Sequence, residues 1–308
     1  MILTVTINPS VDRNIEVDRL VFEDRAYILS RSDSAGGRGM NASRVLHSFG
    51  AKTLAIVTSG GVNGPRLEKL AEKSGFPVKT VPIENEIRVN LTITDKQGLA
   101  IRLNERGPLI TAEELTGLEK AVESRIESAT WLMLCGSIPP GVSPDFYTKL
   151  IHMAREHKVK TMLDTDGDAL LHGIEAGPTI VSPNQPEAER LLNRALITRA
   201  QFLEAVTRIK AMGPEAVMLS LGGRGVVAVN DNQLLEVIPP RTDAASPLGA
   251  GDALAAAYVW AASKKKDFAE CVRWAVAAGT ASAMQPGLIF ATLEQTKEVY
   301  KSVEVRRV

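Results

Sequence analysis

Cysteine is nearly missing from this sequence: Cys135 and Cys271 are the only two in 308 residues. Both stand in apolar company without a partner at metal-ligand spacing, so no disulfide framework is visible and buried thiols in a reducing cytosol are expected. The four histidines (His47, His152, His157 and His172) are scattered. A five-residue gap puts His152 and His157 on different faces of a helix, which argues against a zinc site. Neither sign of charge prevails. Lys plus Arg and Asp plus Glu each number 36, so the balance gives no reason to expect nucleic acid or a membrane as partner. Long apolar runs are absent too, the richest (253–262) being about half the length of a membrane helix. The opening MILTVTINPSVD lacks the basic start and apolar stretch of a signal peptide, and a cytoplasmic protein is expected. No Gly-Lys pair occurs anywhere. A Walker-type phosphate loop is therefore excluded.

What is present is a rhythm. Hydrophobic residues make up 44% of the chain, enough to build a sizeable core in one large α/β domain or two small ones. Short β-branched runs alternate with amphipathic stretches, which predicts an α/β fold whose mostly parallel sheet is covered on both faces. Strands are predicted near 3–7, 53–57, 131–135, 160–164, 179–181 and 216–219. Helices are predicted at 40–49, 65–74, 112–124, 144–156, 187–193, 199–212, 250–262, 268–284 and 293–303. Thr111 with Glu114 and Thr198 with Gln201 have capping-box spacing, and Ser143 precedes a proline at a first helical position. Two segments, 14–31 and 88–103, break the alternation as extended stretches, the second a hairpin turning at 95–98. They predict a small separate sheet, a flap able to cover a site at the edge of the core. No repeat or interdomain linker interrupts residues 1–308, which read as one domain.

Several motifs carry chemistry. Gly249-Ala250-Gly251-Asp252 opens an apolar helical run. Small residues at a helix N-terminus expose free N–H groups and partial positive charge, an anion hole suited to a transferred phosphoryl group. An Asp beside it can take a proton from a hydroxyl, or can simply cap the helix, and this motif alone leaves both readings open. Gly37-Arg38-Gly39-Met40-Asn41-Ala42 fits a dinucleotide pattern, but it lies far beyond the first strand and no acid follows in 57–62, so a dehydrogenase is rejected. A glycine turn touching a polar ligand, with Asn41 on its hydroxyls, fits better. Asn184 and Glu187 sit three apart, as oxygen ligands around a hydrated Mg²⁺ or as a helix cap. Ser220, Gly222 and Gly225 follow another strand, lining a nucleotide or forming a tight turn. Asp12 follows the first strand. Arg25, Arg88 and Arg102 all belong to the flap, where guanidinium forks match phosphate oxygens or face solvent.

The order Asn8-Pro9-Ser10-Val11-Asp12, GGRGMN at 36–41, Gly136-Ser137-Ile138-Pro139-Pro140-Gly141, Asn184–Glu187, Ser220–Gly225 and Gly249–Asp252 resembles the ribokinase-like sugar kinases, most closely the 1-phosphofructokinase and tagatose-6-phosphate kinase branch. The resemblance spans essentially the whole chain. It implies a three-layer α/β/α core with a β lid that mediates dimers, and a Mg²⁺-assisted transfer from ATP to a phosphorylated hexose such as fructose 1-phosphate, fructose 6-phosphate or tagatose 6-phosphate. Asp252 is implied as the base, with Gly249, Ala250 and Gly251 as the anion hole. Asp12, Gly37 and Asn41 would hold sugar hydroxyls. Ser137, Arg88 and Arg102, and more weakly Arg25, would hold the acceptor's phosphate. Asn184 and Glu187 would organise Mg²⁺, while Ser220, Gly222 and Gly225 would line the ATP site. Three positions depart from the pattern: Arg38 and Ser182 replace lysines, and Ala253 replaces a serine. The lysine losses bear on substrate choice and on ATP binding. A kinase for a free sugar or nucleoside, and a sugar-phosphate sensor, are the alternatives. The flap arginines oppose the first and the intact Asp252 opposes the second.

Overall fold

The computed structural model describes every residue except Phe22, which falls inside the segment 14–31 assigned to the lid. A ten-stranded sheet carries the fold. Its spatial order is β14 (Glu304–Arg307), β13 (Leu234–Ile238), β12 (Val226–Val229), β11 (Ala216–Ser220), β10 (Ile180–Val181), β9 (Lys160–Asp164), β8 (Trp131–Cys135), β1 (Ile2–Thr6), β4 (Thr53–Gly60) and β5 (Val78–Ile83). Neighbours from β11 to β5 are parallel, and β12, β13 and β14 close one side in antiparallel register.

Helices cover both faces, as the alternation predicts. One layer holds α2 (Gly64–Glu72), α3 (Ala112–Ile126), α4 (Phe146–Glu156), α5 (Gly167–Glu175), α6 (Gln185–Leu192) and α7 (Arg199–Ala211). The other holds α1 (Arg38–Ser48), α8 (Ala250–Ser263), α9 (Phe268–Ala283) and α10 (Leu293–Ser302). β8 shows why. Every residue in it is buried, and alternate side chains serve opposite cores. Trp131, Met133 and Cys135 pack with Leu46 and Val259, whereas Leu132 and Leu134 pack with Leu118 and Leu150. Both cysteines are buried free thiols.

The six predicted strands and nine predicted helices are present. Both predicted capping boxes form as reciprocal hydrogen bonds. The helix expected from residue 144 instead begins at Phe146, because the Phe146 amide bonds the Ser143 carbonyl in a preceding turn and Asp145 stands at the cap without a side-chain bond. α5, β5, β12, β13 and β14 were not predicted. β5 contains Lys79 and Pro82, and β14 is Glu-Val-Arg-Arg: both are sheet edges, where charge and proline obscure the apolar pattern.

The lid is a four-stranded sheet ordered β3 (Ile28–Gly36), β2 (Ser10–Val17), β6 (Arg88–Asp95) and β7 (Ala100–Leu103). It reaches beyond the predicted bounds, since β2 starts at Ser10 and β3 runs to Gly36. The hairpin turns where expected: the Gly98 amide bonds the Asp95 carbonyl at 3.0 Å, with Gly98 at φ 86°. Register sets the two faces. Ser10 pairs with Arg88, Asp12 with Asn90, and Thr92 with Arg102, so these side chains share the polar face. Val11, Val89, Ile93 and Ile101 fall on the other face.

Candidate active site

The parallel strands release their carboxyl ends along one rim, where open α/β sheets bind ligands. Asn8 follows β1, Ser137 follows β8, Asp164 ends β9, Asn184 follows β10 and Ser220 ends β11. α1 and α8 both start on this rim, and their first turns meet. Gly37, at φ 117°, is the N-cap of α1, and Gly39 lies so close to β1 that a Cβ would press on Thr6 and the Val5 carbonyl. That close seat brings Asn41 to α8, where its Nδ2 donates to Asp252 Oδ2 at 2.7 Å. Arg44, one turn further, donates to Asn41 Oδ1 at 3.4 Å and to the Ala35 carbonyl at 3.1 Å. Arg44 thereby fixes which end of the Asn41 amide faces Asp252.

Asp252 lies in the first turn of α8 as predicted, yet it is no cap: Gly249 is the N-cap, left-handed at φ 71°, and no side-chain cap bond forms. Burial pushes the Asp252 carboxyl up to about 7, aided by the negative charge of Asp164 and opposed by the Asn41 hydrogen bond and Arg38. A carboxyl poised there is tuned to accept a proton near neutral pH. Of the three amides expected to form an anion hole, those of Gly249 and Gly251 have no backbone partner among the described residues. The Ala250 amide already points at the Pro247 carbonyl, 3.4 Å away, whereas Gly251 and Asp252 belong to the first turn, whose N–H groups have no partner within the helix. Gly251 is exposed, has no positive φ, and a Cβ there would meet no protein atom within 4 Å. Nothing in the fold requires glycine here; the open space in front of it does.

That space is a cavity of about 820 Å³ running from Gly251 and Ala250 past Asn184 to Ser220, Gly222 and Gly225, with Leu254 and Val276 as apolar wall. The Ser220–Gly225 turn joins antiparallel β11 and β12, and the Leu221 amide bonds the Gly225 carbonyl at 2.8 Å. A Cβ on Gly225 would strike the Val237 carbonyl. Tight turn and cavity lining are one structure here.

Asn184 and Glu187 form a reciprocal cap on α6. The Asn184 amide donates to Glu187 Oε2 at 2.8 Å, and the Glu187 amide to Asn184 Oδ1 at 2.9 Å. The other Glu187 oxygen, Oε1, accepts from Arg38 Nη2 at 3.3 Å. Arg38 also reaches Asp164 at 2.9 Å and Asp166 at 2.7 Å. Burial pushes Asp164 and Glu187 up against the pull of Arg38. Asp164 and Asp166 were missed by the sequence reading, although two acids at the end of a parallel strand were a signal.

A second polar cluster is built on the lid's polar face. Asp12 Oδ1 accepts from Ser10 Oγ at 2.6 Å and from Asn90 Nδ2 at 3.0 Å. Asn8 Nδ2 donates to Ser137 Oγ at 3.2 Å and to the Arg106 carbonyl at 2.9 Å. Arg88 donates to the carbonyls of Asn8 at 2.9 Å and Glu105 at 3.0 Å. Asn8, Asn90 and Arg44 were also missed; Asn90 was readable as the residue two beyond Arg88 on one strand face. The structure thus brings together Asp12, Gly37, Asn41, Arg88, Ser137 and Asp252. Arg102 shares the polar face but lies on the exposed outer strand β7, and Arg25 lies on the exposed loop between β2 and β3. No hydrogen bond or ion pair between described residues draws either side chain to the Arg88 cluster.

A carboxyl of raised pKa beside unpartnered amides at a helix tip, with a glycine-lined hollow behind them, suits a phosphotransferase acting on an alcohol. A model of the pfkB family carbohydrate kinases matches residues 6–295, and the chain belongs to that family: it is an ATP-dependent sugar kinase. It is 30% identical over 302 residues to the ATP-dependent 6-phosphofructokinase isozyme 2 of Escherichia coli (strain K12), covering 97% of both chains. It is 26% identical over 304 residues to 1-phosphofructokinase of Vibrio cholerae, covering 99% of this chain and 96% of that protein. The tetrameric inhibited form of phosphofructokinase-2 from Escherichia coli superposes with a TM-score of 0.89 at 28% identity, over 98% of each chain. No helix among the described residues is long and apolar enough to cross a membrane.

Proposed function

We propose that this kinase phosphorylates a hexose that already carries a phosphate, such as fructose 1-phosphate, fructose 6-phosphate or tagatose 6-phosphate. One observation carries the reading. Arg88 is a largely desolvated guanidinium whose partners are carbonyl oxygens; among the described residues it makes no ion pair, and its Nε has no hydrogen-bond partner. A half-buried cation without a direct ion pair is costly unless a ligand supplies one, and a phosphate matches its fork. Asn8 Oδ1 and Asn90 Oδ1 are likewise buried without partners, which suits donation from sugar hydroxyls. The two named relatives are phosphofructokinases, which supports the same acceptor class.

In this reading Asp12, the Gly37 turn and Asn41 hold the sugar hydroxyls, Arg88 and Ser137 hold its phosphate, and Asp252 takes the proton from the attacking hydroxyl. The Gly251 and Asp252 amides receive charge developing on the transferred group, so positioning and neutralisation supply most of the catalysis. ATP occupies the cavity behind Gly251. Mg²⁺ fits the donor chemistry, because Asp164, Asp166 and Glu187 present hard oxygens with one cation among them. No three acidic or thiol/imidazole side chains among the described residues are arranged to hold a metal alone, so these carboxylates would hold it with waters and phosphate oxygens, Asn184 serving to orient Glu187. Bound there, the ion would neutralise phosphate charge.

The test is a panel of free and phosphorylated hexoses with ATP and Mg²⁺, read by ADP release. Arg88→Ala should raise KM for the accepted sugar phosphate by about 100-fold and leave a free sugar's poor KM unchanged. Equal effects on both would remove the phosphate pocket. The rate should also follow Asp252. Because burial raises its pKa, kcat/KM should climb about tenfold per pH unit below about 7 and level off above it; a flat profile from pH 5.5 to 8 would refute the base.

The lid also supports self-association, which we propose as a homodimer. Tyr27, Ile28, Leu99 and Leu103 are 63%, 63%, 59% and 51% exposed, an apolar concentration that water does not favour. Sedimentation of the purified protein would show a monomer if this is wrong.

A further inference from the structure

Three carboxylates converge on one guanidinium at the carboxyl rim of the sheet, beside the first turn of α6. Asp164 comes from the end of β9, Asp166 from the loop before α5 and Glu187 from the first turn of α6. Arg38 Nη1 donates to Asp164 and Nη2 to both Asp166 and Glu187. No other ion pair among the described residues reaches any of the three acids. Ser182, whose amide donates to the Leu163 carbonyl just before Asp164, contributes only a short neutral side chain.

Like charges held this close repel, and little water reaches the inner two to screen them: the Asp164 side chain is 10% exposed and that of Glu187 3%. One positive charge against three negative leaves an excess of two, which is the charge of a divalent cation. Arg38 occupies the middle of the cluster, yet its side chain is 31% exposed. Its backbone starts α1, and Asn41, which orients Asp252, lies three residues on in the same turn. A movement of the Arg38 side chain therefore begins beside both the carboxylates and the catalytic base.

We propose that Arg38 is a resident counter-cation, a positioning residue that keeps Asp164, Asp166 and Glu187 converged in the nucleotide-free enzyme and yields them to the divalent cation that arrives with ATP. Released from the carboxylates, the guanidinium faces the polyphosphate of the incoming nucleotide. A structural strut would hold its partners at all stages; a counter-cation competes with the ion that replaces it. The inference rests on the reading that the cation binds at these carboxylates.

The experiment is calorimetric titration of Mn²⁺ into the nucleotide-free protein at pH 8.5. Arg38→Met should bind Mn²⁺ about tenfold more tightly than wild type, because the competing charge is gone. Its Tm should fall in EDTA and return to the wild-type value with saturating Mn²⁺. Asp166→Asn should bind Mn²⁺ more weakly. If Asp166→Asn weakens binding while Arg38→Met leaves it unchanged or weaker, the role of Arg38 is overturned and the cation site stands. If Asp166→Asn binds as wild type does, the cation site is misplaced and the proposal falls with it. A second measurement needs no methionine variant. In ¹⁵N-arginine spectra of the wild-type protein, with the Arg38 guanidinium assigned by its loss in Arg38→Lys, that resonance should shift when Mg²⁺ and a non-hydrolysable ATP analogue are added. An unmoved resonance overturns the exchange.

Discussion

Asp252→Asn should lower kcat by about 10²–10⁴-fold, the usual contribution of a general base, and at the same time make the protein more heat-stable at pH 8. The two effects share one cause. Asp252 is partly buried near Asp164, and its pKa rises to about 7, above the value near 3.9 expected in the unfolded chain. Between those values the folded protein binds more protons than the unfolded one, so stability falls as pH rises and reaches its full loss above about 7. The amide carries no charge and escapes that loss. A gain in Tm of about 2–4 °C at pH 8 is expected for a domain of this size, shrinking toward pH 5, where the native carboxyl is itself protonated. A variant with lost turnover and no gain at pH 8 would mean that Asp252 is not an acid whose charged form the fold disfavours.

Gly251→Ala should cut kcat/KM for ATP by roughly 10²-fold, in line with the loss of one donor from an anion hole, while Tm stays level or rises slightly. The methyl group meets no protein atom, and alanine is the better residue inside a helix, so the fold has no reason to suffer. It protrudes into the space in front of the first-turn amides, where a phosphoryl group must come close. Gly249→Ala provides the contrast. Gly249 has φ 71° and its Cβ would run into Phe290 and Leu288, so that variant should lose Tm as well as activity. If Gly251→Ala turned over at the wild-type rate, the transferred phosphate would not pass this helix tip.

Much of this site was readable in one dimension because parallel α/β proteins deliver polar residues at regular places, just after apolar strands. Ser137 and Asn184 each follow such a run and Ser220 ends one, while Asp12 lies in the lid strand β2 that comes after β1. The first turns of α1 and α8 were likewise marked by glycines that no helix interior favours. Arg88 and Arg102 looked equivalent, each an arginine on a short polar strand. Only register and edge position separate them: β6 is paired on both sides and turns Arg88 toward the Asn8 carbonyl, while β7 is the outer strand and leaves Arg102 exposed. The Asn184–Glu187 spacing shows the same limit, since three residues on a helix serve a cap and a cation equally well, and the cap bonds have formed.

The sequence by itself determined the alternating α/β architecture, the separate lid, the acid at the head of α8 and the glycines around it, because periodicity and helix-end chemistry are local properties. Only the tertiary structure decided who faces whom. Asn41 and Asp252 are 211 residues apart and Arg38 and Glu187 are 149 apart, and no local preference encodes such a contact. It arises when strands β1, β9 and β10 align in one sheet and set their carboxyl ends side by side, where burial makes every charge depend on its neighbours.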